Sequence, residues 1–341
     1  MTRLVGSRLA GMTVAVIGAS FLAFVLLRLV PGDPARLILG PLVPQSSVDQ
    51  LSREMGLDEP IPTQFVIYMR DFVTGDWGYS YSTGLPVRQV IGERLPATLE
   101  LALFAFVLGT TAAFAAALAA TYRRNRVIDG GVKGLSYFGL GTPPFWLALI
   151  LLVVFSERIP IFPGPEGRLA PTATPPPDVT GFYTVDSILA GEWSTFVDAL
   201  WHLVLPAFVL GILLFAVLVR LLRANLLEVD REHFLLVVKS KGVARGPAYI
   251  HHALPNAVLP TITAAGLLLA ELLMGSVLVE RVFNWPGVGG LVVDSIQRKD
   301  YAVVQTFILL SAVAYVVINA IVDLAYLLID PRTRLPGATQ T

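Results

Sequence analysis

The chain has 341 residues, of which 55% are hydrophobic and 15% charged, with a formal net charge of zero and a mean hydropathy of +0.68. An ordinary soluble domain carries about 25% charged residues, so one water-soluble core cannot hide this much apolar surface. The balanced charge leaves no footprint for a nucleic-acid partner, and with no cysteine there is neither disulfide stapling nor thiol chemistry.

The apolar residues gather in six blocks, roughly 9–30, 97–122, 132–155, 200–219, 261–282 and 303–329. Each is close to the about 20 residues that a helix needs to cross a bilayer. The expected fold is therefore all-α and polytopic, with six transmembrane helices. In the first block Arg3 and Arg8 resemble a charged leader. The apolar run is longer than a signal peptide's, however, and Val30-Pro31-Gly32-Asp33-Pro34 is a poor cleavage site, which makes the block a membrane anchor. The polar stretch 31–95 follows, with turn markers at Pro60, Pro62, Gly75, Gly78, Gly84 and Pro86, and predicts a small cap of short helices and turns. Between the third and fourth blocks, Pro160, Pro163, Pro165 and the run Pro175-Pro176-Pro177 favour extended chain over helix.

Short loops rich in Lys and Arg stay in the cytoplasm. Arg3, Arg8, Arg123, Arg124, Arg126, Arg220, Arg223, Arg231, Lys239, Lys241, Arg245, Arg332 and Arg334 all fall on one side of a six-span topology. That side, with both termini, is expected to be cytoplasmic. Segments 31–95, about 156–197 and about 283–301 then face outward. The organisation expected is a tail and first helix (1–30), an extracytoplasmic segment (31–95), a core of five further helices (96–330) and a cytoplasmic tail (331–341).

The chain carries no chemistry of its own that is legible in motifs. A phosphate-cradling G-x-x-x-x-G-K-[ST] is absent, Glu232-His233 lacks the second histidine of a metalloprotease helix, and Ser136 misses the nucleophile-elbow spacing by one residue. Between the fourth and fifth blocks the sequence turns polar. RLLRANLLEVDREHFLLVVKSK (220–241) has helical character, Gly242 breaks it, a second short helix fits about 247–254, and Pro255 ends that one. The expected elbow covers about 228–258. Leu235, Leu236, Val237, Val238, Val243, Tyr249 and Ile250 would leave apolar surface rimmed by cations, the pattern of a protein docking site.

At these residues the chain resembles the permeases of bacterial ABC importers, in the dipeptide/oligopeptide/nickel branch. The resemblance rests on Gly242 followed at fixed spacing by Leu254-Pro255 within "KSKGVARGPAYIHHALPNAVLP". It continues through "PGDP" (31–34), "GDWGYSYSTGLPV" (75–87), "ERLPATLEL" (93–101), "TPPFWLAL" (142–149), "HLVLPA" (202–207), "GSVLVERVFNWPGVG" (275–289), "RKDYAVVQ" (298–305) and "NAIVDLAYLLIDPRTR" (319–334). Two departures stand out: Leu236-Val237-Val238 replaces the general Glu-Ala-Ala, and Val238-Lys239-Ser240-Lys241-Gly242 replaces the branch's Ala-Arg-Ala-Lys-Gly.

The resemblance implies a pathway-forming subunit that is not itself an enzyme. It implies a second homologous permease, two ATP-binding subunits that consume ATP and Mg on the cytoplasmic side, and an extracytoplasmic solute-binding protein, all at the bacterial cytoplasmic membrane. A coupling role falls to Glu228, Lys239, Lys241, Gly242, Val243, His251, His252, Leu254, Pro255 and Asn256. Peptides are the expected cargo, with nickel chelates or glutathione as alternatives inside the family. A channel or ion-coupled carrier, or a membrane scaffold or sensor, are alternatives outside it. No cofactor or metal is expected on this chain. His251 and His252 are adjacent, so they point about 100° apart on a helix and suit ATPase contact or a helix-end hydrogen bond better than a metal.

Two polar features sit inside the apolar blocks. Glu271 lies mid-block, where an ionised carboxylate costs about 2.5–3.5 kcal/mol on insertion scales, so it must face helices or water or be protonated. Its helical face is expected to include Leu267, Leu268, Met274, Gly275 and Leu278. Asn319, Asp323, Tyr326 and Asp330 recur at helical spacing and form one inward-looking stripe, suited to hydrogen bonding within the bundle or to solute contact.

Overall fold

A computed structural model describes residues 2–29, 34–40, 42–123 and 126–329. Residues 31–33 of "PGDP", Arg124, Asp330, Pro331, Arg332, Arg334 and the rest of the 331–341 tail lie outside the described residues. So do the side chains of Arg3, Arg8, Arg123, Lys239 and Tyr326.

The chain is mostly helical. In order it forms α1 (Thr2–Leu29), α2 (Pro34–Leu39), α3 (Gln45–Glu54), α4 (Ile61–Thr74), a two-stranded hairpin β1 (Tyr79–Ser80) and β2 (Leu85–Pro86), and α5 (Val87–Arg123). There follow α6 (Arg126–Gly141), α7 (Pro144–Leu152) continuing as a π-turn Val153–Arg158, α8 (Tyr183–Ala190), α9 (Trp193–Val229) and α10 (His233–Ser240). Next come α11 (Arg245–Ala248), a π-turn Tyr249–Ala253, α12 (Leu254–Ala257), α13 (Leu259–Gly275), α14 (Val277–Val282), α15 (Val288–Gln297) and α16 (Tyr301–Ile329).

Among the described residues three helices are long and apolar enough to cross a membrane, Val87–Tyr122, Trp193–Val229 and Tyr301–Ala325, and two bent pairs raise the number to five. The block at 132–155 is not one helix, because α6 and α7 meet at a bend of 105°. Pro143 and Pro144 explain the break: neither has an N–H to continue the ladder, and the backbone at Pro143 is extended. The 261–282 block is also divided. α13 ends at Gly275 and α14 starts afresh after Ser276, so Leu278 does not share a continuous helix with Glu271; the bilayer-length partner lies upstream, in Arg245–Ala257, bent by 58° from Leu259–Met274.

The chain divides into two compact units, residues 1–95 with 287–316, and 96–286 with 317–341. In the first, Phe24 of α1 is buried against Phe65 and Tyr68 of α4, with ring centroids 5.7 Å apart in both pairs. A small core of Val87, Ile91, Val288, Leu291 and Val303 joins the start of α5 to α15 and α16. Beside it the buried Asp300 ties the hairpin down, accepting hydrogen bonds from Ser80 Oγ (2.6 Å) and Ser82 N (3.2 Å). Asp300 reaches that position because α15 ends in a reversed turn: Lys299 N donates to Ile296 O and Asp300 N to Ser295 O, with Lys299 at φ 58°.

The second unit is built around α9, whose apolar residues run almost continuously from Leu203 to Leu226 in the core. Small residues let helices close on it: a Cβ added at Gly109 of α5 would lie 2.6 Å from Gly211 O, and one at Gly139 of α6 would lie 2.9 Å from Ile212 O. Ser136 donates its hydroxyl to Ala216 O, so its role is to join α6 to α9. Residues 159–182 form neither helix nor strand, in keeping with their prolines.

Candidate functional site

The elbow departs from its expected shape in two places. α9 does not run on to Lys241. It stops at Val229, and Arg231 N and Glu232 N close tight turns on Glu228 O and Val229 O before α10 begins. Nor does Pro255 end the second helix, which continues to Ala257. The backbone ahead of the proline is widened into the π-turn Tyr249–Ala253, which relieves the clash between a proline ring and the carbonyl four residues back.

Gly242 stands between the two helices with φ 81° and nothing within 4 Å of where a Cβ would be. That left-handed backbone suits glycine. The second helix is fixed to its own unit by one face. Ala248, Tyr249, Ala253 and Ala257 are fully buried, Asn225 Nδ2 donates to Ala257 O (3.1 Å), and Arg245 donates to Thr121 O (3.3 Å) while its guanidinium lies over the rings of Tyr122 and Tyr249.

The other face is free in this chain. Lys241, Gly242, Ile250, His251, His252, Pro255 and Asn256 are exposed, and Val243 and Leu254 are half-buried. His251 Nδ1 sits 3.2 Å from Pro247 O, and Asn256 Nδ2 donates to His252 O. On α10, Phe234, Leu236 and Val237 are exposed, whereas Leu235 is fully buried. The apolar patch is therefore smaller than the seven residues expected. Leu235 and Tyr249 belong to the core and Val238 and Val243 pack against it, leaving Leu236, Val237 and Ile250, joined by Phe234. Glu228 is exposed at the end of α9, one turn before α10.

Glu271 is separate from the elbow. It is exposed on α13 and lies on a cavity of about 250 Å³ walled by Pro144, Leu210, Leu213, Leu214, Leu268 and Leu272. Asn319 and Asp323 are half-buried on α16, and α13 approaches that helix closely enough that a Cβ at Gly266 would overlap Val322.

Sequence reasoning missed the polar groups that fasten the 159–192 segment. Arg168 pairs with Glu100 of α5 (2.5 Å), donates to Gly181 O (2.7 Å) and lies 3.5 Å above the ring of Tyr183, with both charged side chains over 90% buried. Thr184 caps the same carboxylate through its N–H and hydroxyl. Asp186, also buried, collects Thr180 N, Thr180 Oγ1 and Gly181 N at 2.7–2.9 Å. Burial alone would raise its carboxyl pKa, but these hydrogen bonds outweigh it and hold the group below the usual carboxylate range. Another buried carboxylate, Glu280, accepts from Thr98 and Ser276 hydroxyls at 2.8 Å each, and Trp285 Nε1 donates to Ala97 O. The signal was present in "ERLPATLEL" and "GSVLVERVFNWPGVG", where charges interrupt apolar runs, but their partners are about 68 and 182 residues away in sequence.

These features define a multi-helical membrane protein in which α9, one of its two 37-residue helices, leads into a glycine-cornered, partly apolar elbow. The described chain matches the model of the "Binding-protein-dependent transport system inner membrane component" over residues 106–335, and the N-terminal model of the same system's membrane component over residues 1–102. The chain belongs to this family. It is 40% identical over 322 residues to a probable D,D-dipeptide transport system permease protein of Escherichia coli K12, covering 94% of each. It is 38% identical over 336 residues to a di/tripeptide transport system permease protein of Pseudomonas aeruginosa, covering 98% of this chain and 99% of that one. An oligopeptide transport system permease protein of Bacillus subtilis is 35% identical over 318 residues, covering 93% and 94%.

Proposed function

We propose that this chain is the permease subunit of an ATP-driven importer that carries di- or oligopeptides across the bacterial cytoplasmic membrane by alternating access. It would work with a second, homologous permease, two ATPase subunits that bind and hydrolyse ATP with Mg, and an extracytoplasmic peptide-binding protein. Catalysis of ATP hydrolysis belongs to the partners.

The observation that carries the reading is the elbow. A helix pair cornered at Gly242 is anchored on one face through Arg245 and the buried Ala248–Ala257 stripe, and offers Phe234, Leu236, Val237 and Ile250 among exposed polar groups on the other. A rigid, amphipathic protrusion of this kind can transmit a partner's closure into α9 and α13, whereas a floppy linker cannot. Glu228, Lys239, Lys241, Val243, His251, His252, Leu254, Pro255 and Asn256 would form or frame the contact. The peptide assignment is supported by relatives whose names specify dipeptide, di/tripeptide and oligopeptide transport.

Six crossings are proposed: α1, α5, the bent pair α6 and α7, α9, α13 (17 residues, at the short end of a bilayer span) and α16. The concentration of Arg and Lys in the loops flanking 123–126 and 220–245 supports a cytoplasmic elbow and cytoplasmic termini. Glu271, Asn319, Asp323 and Tyr326 are proposed to line the pathway or hold the bundle.

The test is reconstitution of the two permeases, the two ATPase subunits and the binding protein in proteoliposomes. The reading predicts dipeptide accumulation that requires ATP, the binding protein and this chain together. Accumulation that persists without ATP or without the ATPase subunits would replace it with a channel or ion-coupled carrier.

A further inference from the structure

Glu271 is the thirteenth residue of the 17-residue apolar helix α13 and is exposed in the single chain. Among the described residues no hydrogen bond or ion pair reaches its carboxylate, although other carboxylates of the same unit, at Glu100, Asp129, Asp186 and Glu280, are each held by several partners. An ionised carboxylate without protein partners at membrane depth must meet water, a solute or a neighbouring subunit, because hydrocarbon cannot solvate it. The space beside it is the cavity of about 250 Å³ between α7, α9 and α13. That is room for several waters, or for the first residue of a peptide. Glu271 is the one charged side chain among the described lining residues; Pro144 and five leucines supply the rest.

One carboxylate on an apolar wall selects a particular chemistry. A bare divalent or transition-metal ion needs several oxygen, nitrogen or sulfur ligands, and these walls offer none beyond Glu271. A primary ammonium carried on a small organic body needs one anionic acceptor and apolar contact for the rest, which is what this cavity provides. Resting on the peptide-importer reading, we infer that Glu271 and the cavity behind it form a subsite for the amino-terminal ammonium of the peptide in transit. The subsite favours free-amino peptides over blocked ones within the membrane pathway, independently of any selection by the binding protein.

The absence of native cysteine permits a direct test. Leu213→Cys puts a single thiol on the cavity wall, with Glu271 intact, in the assembled transporter with cysteine-free partner subunits and no binding protein. A charged, membrane-impermeant methanethiosulfonate should modify it. Alanyl-alanine should protect it, and N-acetyl-alanyl-alanine should protect far less. Adding Glu271→Gln should raise the alanyl-alanine concentration for half-protection about 10- to 100-fold, the range for losing one charge-assisted hydrogen bond, and Glu271→Asp should restore part of the protection. If Leu213→Cys does not assemble, Leu268→Cys is the reporter on the same cavity.

A thiol inert to the hydrophilic reagent at both positions would overturn the subsite, as would equal protection by the two peptides or protection indifferent to Glu271→Gln. If Glu271→Gln instead lowers recovery of the permease pair with protection unchanged, the carboxylate pairs with a cation of the second permease and the inference fails. Failure of the underlying reading is distinguishable: the wild-type transporter with its binding protein would then import no dipeptide, whatever the thiol reports.

Discussion

Replacing Gly242 separates what the elbow needs for its own shape from what a docked partner needs. Its φ of 81° lies where an L-residue costs about 1–2 kcal/mol, while the empty space around its Cβ position adds no clash within this chain. Gly242→Ala should therefore lower the population of the native elbow by about 5- to 30-fold relative to alternatives. Gly242→Asn should cost less, because asparagine tolerates the left-handed region. Gly242→Leu adds bulk that this chain can accommodate but a seated ATPase cannot. Membrane insertion and yield should match wild type in all three variants. In proteoliposomes with ATPase subunits and binding protein, Asn should stay near wild-type uptake and Ala should fall part-way. Leu should lose at least about ten-fold in uptake while ATP hydrolysis continues. Wild-type uptake in the Leu variant would refute the docking argument. Equal loss in Asn and Leu would refute the claim that bulk at this position is what matters.

Arg168→Met should destabilise the chain by about 3–5 kcal/mol by leaving Glu100 buried without its cation, and Glu100→Gln in the same chain should recover much of the loss; thermal unfolding in detergent reads both. Lys299→Gly should stabilise by about 1 kcal/mol, since the residue holds a left-handed φ of 58° at the end of α15, and denaturant titration would show no gain if that turn were unstrained. Asp186 has a folded pKa below its unfolded value of about 3.9, so its contribution is complete above that pH and is lost as pH falls through the lower folded value. Amide exchange at Thr180 and Gly181 should accelerate over that acid range in the wild type. In Asp186→Asn it should be fast already at neutral pH and nearly flat.

Much of the fold was legible because bilayer-length apolar runs leave few alternatives. The blocks at 97–122, 200–219 and 303–329 each fall inside one long helix. Breaks were harder to see. Two adjacent prolines stand at the 105° bend before α7, yet the apolar run across them reads as one span; Pro255 lies within a helix because a π-turn precedes it, and the stop at Val229 has no glycine or proline to announce it. Of the elbow, the glycine corner and the cationic frame were readable, while the burial of Leu235 and Tyr249 was not, since a four-residue apolar run on a short helix cannot say which side its own unit covers. The Glu100–Arg168 and Glu280–Thr98 pairings were invisible because they depend on contacts far apart in the chain, which no local pattern encodes.

The most direct measurement of the central claim is uptake of labelled dipeptide by cells with and without this gene, in a strain stripped of its other peptide importers. Excess tetrapeptide, glutathione and nickel chelate serve as competitors. The account predicts that the gene confers energy-dependent dipeptide uptake, blocked by peptides and untouched by the chelate. Dipeptide uptake identical in the two strains would contradict it.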